Sequence, residues 1–293
     1  MQASGPKAWL ESGCTFSFGG RRIFCRHGGR SDRPVLLLIH GFPTSSWDWN
    51  EAWQLLEGHF RLIAADMLGF GFSDKPHPHA YSLFEQADIH EDLLRQLGIR
   101  EYHVLAHDYG DSVAQELIAR TREPAPRPIL RSACFLNGGL FAETHRVLAI
   151  QKLLLSPLGP LVARMSGRRS LAASMQRIFG PGTQPGDTLI DAFWSLMVRD
   201  NGRRVLPGLI RYISERVQYR ERWVGALVET SLPLKLVDGA FDPISGAHMA
   251  ERYRELVPNA DVTELPGIGH YPQIEAPGAV VDAYLAFRAT ISG

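Results

Sequence analysis

One segment constrains this chain more than any other: Val104-Leu105-Ala106-His107-Asp108-Tyr109-Gly110-Asp111-Ser112. The β-branched and aliphatic run Tyr102 to Leu105 ends in a small residue, an acid flanked by single residues, and a glycine. It then passes at once into a helical pattern over Ser112 to Arg120. This predicts a strand, a tight turn and a helix, with Asp108 at the apex. Such an apex has a strained backbone that needs small residues two positions before and two after, and Ala106 and Gly110 meet that need. Asp108 then projects from the carboxyl end of the strand at the amino end of the helix, whose dipole favours a carboxylate. A carboxylate is already anionic, so it can displace a leaving group at a saturated carbon without a base. Asp at this place is also an ordinary helix N-cap, and the segment alone leaves both readings open.

Three further segments bear on the choice. Pro34-Val35-Leu36-Leu37-Leu38-Ile39 is continuously apolar, as expected of a strand buried on both faces, and ends in His40-Gly41-Phe42-Pro43. Backbone N–H groups near Phe42 and at Tyr109 could converge on one oxygen as an oxyanion hole. Leu234-Lys235-Leu236-Val237 is a second such strand, ending in Asp238-Gly239-Ala240-Phe241-Asp242-Pro243, where Asp242 is the candidate orienting acid. Val262-Thr263-Glu264-Leu265 leads into Pro266-Gly267-Ile268-Gly269-His270-Tyr271-Pro272, a glycine-flanked histidine in a loop before the last helix. Each motif is weak alone, since a loop histidine is usually solvated and Asp-Pro usually starts a turn. Four in the order nucleophile, acid, histidine, each after a strand, are strong.

On these motifs the chain resembles the Asp-nucleophile branch of the α/β-hydrolases, the epoxide hydrolases and haloalkane dehalogenases, from about Gly19-Gly20 to the C-terminus. Within that branch it resembles the mesoderm-specific transcript proteins in particular, through AHDYGDSVAQEL (106–117), LNGGLFAETHR (136–146), ERWVGAL (221–227) and GHYPQIE (269–275). The resemblance implies a mostly parallel eight-stranded sheet with helices on both faces and an inserted helical lid. It also implies an Asp108, Asp242, His270 triad.

The residue pattern divides the chain accordingly. Residues 12–26 read as an opening hairpin, and 34–40, 60–66, 102–107 and Ile129 to Leu136 as core strands, with helices near 47–57, 83–97 and 110–121. From Phe141 to about Thr230 the chain is helical, broken at Pro157, Gly180-Pro181-Gly182 and Pro207. The expected units are a core over 1–140, a lid over 141–230 and the rest of the core over 231–293. The turn Asp66 to Asp74, with Gly69 and Gly71, reads as structural.

The 293 residues, 45% apolar and 21% charged, suffice for one large core with an inserted subdomain. Lys+Arg and Asp+Glu are both 31, so no global field favours nucleic acid or an anionic membrane. Met1 to Glu11 lacks the apolar run of a signal peptide, which makes the cytoplasm the expected location. The most lipid-like stretch, Val147 to Met165, is interrupted by Lys152, Pro157, Pro160 and Arg164, so no spanning helix is expected, while a surface touching membrane stays open. A homodimer also stays open. Cys14, Cys25 and Cys134 are too scattered for a metal site or disulfide scaffold. If Gly19-Gly20 is a two-residue turn, Cys14 faces Cys25 as a hydrogen-bonded pair with separated, reduced thiols.

The lid decides the leaving group. An epoxide oxygen must be protonated or hydrogen-bonded as it leaves, which a phenol can do; a halide needs weak donors such as Trp or Asn N–H groups. Tyr212 and Tyr219 lie near the lid's end. Tyr212, 30 residues before Asp242, stands where the resemblance places the second ring-opening tyrosine of epoxide hydrolases. The first has no counterpart between Thr144 and Leu155, where His145 or Trp194 are the candidate substitutes. The dehalogenase reading is weaker, because Tyr109 replaces the usual Trp and Phe42 the usual Asn; Trp194 and Trp223 are its candidate halide donors, more simply read as lid core. A defluorinase would need a cation beside Asp108, which Tyr109 does not supply. Ser112 lies inside the helix and is read as facing away, which counts against an esterase. A complete triad counts against a non-catalytic binder. The expectation is an epoxide hydrolase without metal or other cofactor, acting on a small apolar substrate in a pocket lined by His40, His145, Trp194, Tyr219 and Trp223.

Overall fold

The computed structural model describes residues 5–291, so positions 1–4 and 292–293 of the expected core segments lie outside the described residues. Eight strands form one sheet: β1 (Cys14–Phe18), β2 (Arg21–Gly29), β3 (Val35–Ile39), β4 (Arg61–Ala65), β5 (Glu101–His107), β6 (Ile129–Leu136), β7 (Leu234–Gly239) and β8 (Asp261–Leu265). Their order is β1-β2-β4-β3-β5-β6-β7-β8, with β2 antiparallel to both β1 and β4 and the remaining pairings parallel. The parallel part reads as continuous apolar sequence because helices cover both of its faces. Leu37, Ile39, Val104 and Ala106 join one buried cluster, while Leu36, Leu38 and Leu105 join a second with Trp9, Trp49 and Trp53. Full burial of each large aliphatic side chain contributes roughly 1.5–3 kcal/mol.

The first part of the core carries α1 (Pro6–Glu11), α2 (Asn50–Leu56), α3 (Leu83–Gln96) and α4 (Tyr109–Arg120). Ser82 caps α3, its hydroxyl accepting from the Glu85 amide at 3.1 Å. Between β6 and β7 the chain forms only helices: α5 (Ala149–Leu155), α6 (Gly159–Met165), α7 (Arg168–Ile178), α8 (Asp187–Val198), α9 (Leu206–Leu209), α10 (Tyr212–Gln218) and α11 (Arg220–Glu229), with a 3-10 segment at Arg199–Val205. Then come α12 (Ala247–Leu256) between β7 and β8, α13 (Pro272–Glu275) and the closing α14 (Pro277–Ile291). Pro157 and Gly180-Pro181-Gly182 do fall between helices, whereas Pro207 lies in the first turn of α9, where its missing N–H costs nothing. Helices α1 and α12 carried no reading from the sequence.

Cys14 opposes Cys25 as the hairpin arithmetic requires, and both thiols are reduced, but their sulfurs are 3.4 Å apart, closer than a hydrogen-bonded pair leads one to expect. The Asp66 to Asp74 turn is held by its own first residue: the Asp66 carboxylate accepts from the amides of Ser46 at 2.8 Å and Phe72 at 2.6 Å.

Candidate active site

Asp108 connects β5 to α4 with φ 47° and ψ −104°, a conformation an L-residue holds only when its surroundings impose it. The imposition is visible. A Cβ on Gly110 would lie 2.5 Å from the Ile39 carbonyl oxygen, so α4 can begin this close to β3 only with glycine there. The Asp108 amide donates to the Leu136 carbonyl at 3.2 Å, tying the apex to β6. Its side chain is buried, and Oδ2 accepts from the Phe42 amide at 3.1 Å. Tyr109 is the first residue of α4, so its amide stands outside the helix's own hydrogen-bond ladder.

Loops after β7 and β8 bring in Asp242 and His270. His270 Nδ1 donates to Asp242 Oδ2 at 2.7 Å, both side chains being buried. Asp242 is anchored in turn by the amides of Ile244 (2.8 Å) and Ser245 (3.1 Å), the Ser245 hydroxyl (2.8 Å) and Asn137 Nδ2 (3.2 Å). Asn137, at φ 38°, also donates to Asp238 and to the Gly239 carbonyl, so one amide joins the ends of β6 and β7. His107 Nε2 donates to the His270 carbonyl at 2.7 Å. Burial followed by the neighbouring His270 pushes the His107 pKa down to about 3, and it stays neutral.

Charge in this cluster is set by competition between burial and pairing. Burial alone would raise Asp108, but His270, Arg216 and His107 outweigh it and hold the carboxyl below its ordinary range. Asp242 is likewise lowered, burial being overcome chiefly by His270. Burial disfavours a charged His270, yet Asp242, Asp108 and Glu275 raise it to about 9. Asp238, buried and beside Asp242, is raised to about 8.

Arg216, which sequence reasoning missed, is the lid's contribution to this cluster. It is buried on α10; Nη2 donates to the Asp108 carbonyl at 2.8 Å and stands 3.6 Å from Asp108 Oδ1, while Nε donates to Ser112 Oγ at 2.7 Å. Ser112 therefore faces the lid contact at the elbow, correcting its reading as turned away. The cation judged absent beside Asp108 is present, supplied from 108 residues downstream. Nη1 contacts His145 Nδ1 at 3.3 Å; the guanidinium can only donate, so the imidazole proton sits on Nε2, which has no partner among the described residues. Burial, then Arg216, pushes His145 down to about 3.

The Arg216 guanidinium also lies 4.5 Å from the Tyr212 ring centroid. Tyr212 is buried against Tyr109 and Phe42, with ring centroids 4.8 and 6.0 Å apart, and its hydroxyl has no hydrogen-bond partner among the described residues. Burial, with Asp108 nearby, raises the phenol well above its ordinary pKa and keeps it protonated. Glu116 of α4 fixes this part of the lid, accepting from Trp223 Nε1 at 2.9 Å and from both Arg222 and Arg120.

A cavity of about 280 Å³ opens onto Asp108 and His270. Its wall is largely apolar, with Phe42, Leu154, Leu171, Met175, Met197 and Tyr271, and polar groups enter from Gln151, Ser170, Ser174 and Arg177. Its lining differs from the expected pocket. His40 is fully buried beneath it, donating from Nδ1 to the Gly41 carbonyl at 2.9 Å and accepting at Nε2 from the Met67 amide at 3.0 Å. Trp223 spends its N–H on Glu116, and Tyr219 meets Phe84 edge to face at 4.8 Å. Trp194 lies beneath the Arg203 guanidinium. These four, together with His145 and Tyr212, are absent from the wall; the four have polar or aromatic faces committed elsewhere, whereas His145 Nε2 and the Tyr212 hydroxyl stay unpartnered beside Asp108 and Arg216. Among the described residues no group of His, Cys, Asp and Glu is arranged to hold a metal ion, and no helix is long and apolar enough to cross a membrane.

Strand order, elbow and cavity together define a class, and the chain belongs to the α/β-hydrolase fold family, whose model matches residues 34–277. Within that family it is similar to mesoderm-specific transcript protein of Mus musculus, 42% identical over 290 residues, 96% of this chain and 87% of that protein. It is also similar to the putative hydrolase LipZ of Mycobacterium tuberculosis H37Rv, 39% identical over 98% of this chain and 99% of that one. The fold is shared with haloalkane dehalogenase DbeA of Bradyrhizobium elkani (TM-score 0.80, 22% identity, 96% and 98% of the two chains). It is shared too with epoxide hydrolase CorEH (TM-score 0.77, 18% identity, 95% and 99%).

Proposed function

We propose that this α/β-hydrolase opens an apolar epoxide through an ester formed on Asp108 and releases a diol. The observation that carries the reading is the carboxylate itself: Oδ2 already rests on the Phe42 amide, at the bottom of a cavity that His270 shares. Asp108 Oδ1 attacks the epoxide carbon, the carbon–oxygen bond breaks, and the departing alkoxide takes a proton from the unpartnered Tyr212 hydroxyl. Arg216 over the Tyr212 ring offsets the phenolate so formed. Oδ2 becomes the ester carbonyl oxygen without leaving its amide, and the Tyr109 N–H is the second donor of the hole.

Alkylation then changes His270. Asp108 is one of the groups raising its pKa, and the ester carries no charge. His270 can therefore release its proton, accept one from water and direct hydroxide at the Asp108 carbonyl, while Asp242 holds its tautomer. Collapse of the tetrahedral adduct frees the diol and restores Asp108, and the proton balance closes when the phenolate is reprotonated. No step calls for a metal or other cofactor.

Halide release is the weaker reading, because the Trp223 N–H is bound to Glu116 and Trp194 lies against the Arg203 guanidinium, whereas the Tyr212 hydroxyl is left unpartnered. Arg216 does not favour an anionic substrate, since its donors are engaged by the Asp108 carbonyl and Ser112 Oγ. Incubation with a styrene-type epoxide, a bromoalkane and a nitrophenyl ester tests the proposal by product. Diol from the epoxide is the expected result. Bromide release alone makes the chain a dehalogenase, nitrophenol alone an esterase, and no product from any of them a binder.

A further inference from the structure

Among the described residues, half of the strongly exposed large apolar side chains lie within thirteen residues of the lid: Leu153 (46% exposed), Leu158 (59%), Leu161 (54%) and Met165 (76%). The others, Leu55, Ile129, Val217 and Phe241, are scattered singly through the sequence, as on any protein surface. On α6 the spacing sorts the side chains: Gly159 and Ala163, four apart, turn inward and are buried, whereas Leu158, Leu161 and Met165 turn outward.

Charge in the same region is equally one-sided. From Arg146 to Gly186 the sequence holds Arg146, Lys152, Arg164, Arg168, Arg169 and Arg177 and no Asp or Glu, in a chain whose totals are 31 and 31. Arg168 is paired with Asp187 and Asp191 from α8. The other five are exposed and have no ion-pair partner among the described residues.

Exposed Leu and Met side chains interspersed along the same segment with unneutralised Lys and Arg match the two attractions of an anionic bilayer: acyl chains take the apolar groups and headgroup charges the cations. A second copy of this chain fits poorly, because a two-fold contact would set these cations against their own counterparts. Helix α6, at seven residues, is far too short to span, so the contact lies in the interface plane. The cavity wall is built from the flanking helices, Ile150, Gln151 and Leu154 of α5 and Ser170, Ser174 and Arg177 of α7. We infer that the α5–α6–α7 face of the lid docks on anionic membrane surfaces, setting the cavity wall against the bilayer. The site then draws on solutes dissolved in the membrane.

Co-sedimentation of the full chain with vesicles tests this. Binding is expected to phosphatidylcholine vesicles containing about one-third phosphatidylglycerol, with little to phosphatidylcholine alone, and to weaken as salt rises from ~0.1 M to ~0.5 M. The triple variant Leu158→Ser, Leu161→Ser, Met165→Ser and the triple variant Lys152→Gln, Arg164→Gln, Arg169→Gln each lose binding by about tenfold or more. Their unfolding temperatures stay within ~2 °C of the parent, as for other exposed substitutions, and Ile129→Ser at the β6 end keeps full binding. Absence of binding to the anionic vesicles at low salt overturns the inference. So does equal loss in Ile129→Ser, or a parent that self-associates through these residues and leaves the vesicles alone.

Discussion

The sheet side of the site and the lid side differ in how the groups that face the reaction are held. On the sheet side the acid and the histidine are densely held: Asp242 accepts from four donors besides His270, and His107 braces the His270 carbonyl, while Asp238 Oδ2, His107 Nδ1 and the Asp111 carboxylate around them have no partner among the described residues. On the lid side the groups nearest Asp108 are left with spare capacity: Tyr212 has a free hydroxyl and His145 a free Nε2. Arg216 stands between the two sides, engaged with elbow and lid at once. A fully satisfied network fixes geometry, and an unsatisfied buried donor costs stability unless a ligand uses it. Under the proposed mechanism the sheet side supplies the nucleophile and base, while the lid determines what can leave.

The sharpest consequence falls on Tyr212. Tyr212→Phe removes the donor and retains the ring packing on Tyr109 and Phe42, so epoxide opening should slow by ~10²- to 10⁴-fold, the range for a positioned acid. Any bromoalkane turnover should survive, since halide leaves without a proton. Equal rates on the epoxide would reduce Tyr212 to lid packing and erase the division drawn here.

Arg216→Gln comes next, because it cuts the one link between the two sides. Loss of a group that lowers Asp108 should move the acid limb of epoxide opening to higher pH, and loss of the clasp that positions the elbow should reduce the rate by ~10- to 10²-fold. Arg216→Lys restores charge without the fork to Ser112 Oγ and should recover part of the loss. A rate that falls with no movement of the acid limb would leave Arg216 a purely structural clasp.

The smallest effect is in pH dependence. His270, raised to about 9, adds stability in full below its unfolded value near 6.5, and that contribution is lost as pH rises through 9. In the ester Asp108 is neutral, so the acid limb for ester hydrolysis, where protonated His270 can no longer take a proton from water, should lie below 9, and stopped-flow hydrolysis against an NMR titration of resting His270 measures the gap. Coincident values would mean that Asp108 does not contribute to raising His270.

The contrast also explains what could be read from the chain. Asp108, Asp242 and His270 each follow a strand directly and sit in turns whose glycines and prolines are local signals, so their convergence was legible from order alone. Arg216 was not, for it lies in a short helix among Glu215 and Gln218 and looks like an exposed charge. Only the docking of α11 on Glu116 brings it beneath Asp108. His40 was misplaced for the converse reason. It shares the loop motif with Phe42, but its ring turns inward to the Met67 amide. The expected tryptophan and tyrosine lining failed because a lid aromatic has two sides, and sequence does not say which faces the cavity.

The covalent ester on Asp108 is the step from which everything else follows, and it can be weighed. His270→Gln removes the base and keeps the nucleophile, so after exposure to a styrene-type epoxide the protein should gain the mass of one substrate, on the peptide containing Asp108, while turnover stops. An unmodified protein after the same exposure, or a mass increment on any other peptide, would contradict the two-step mechanism.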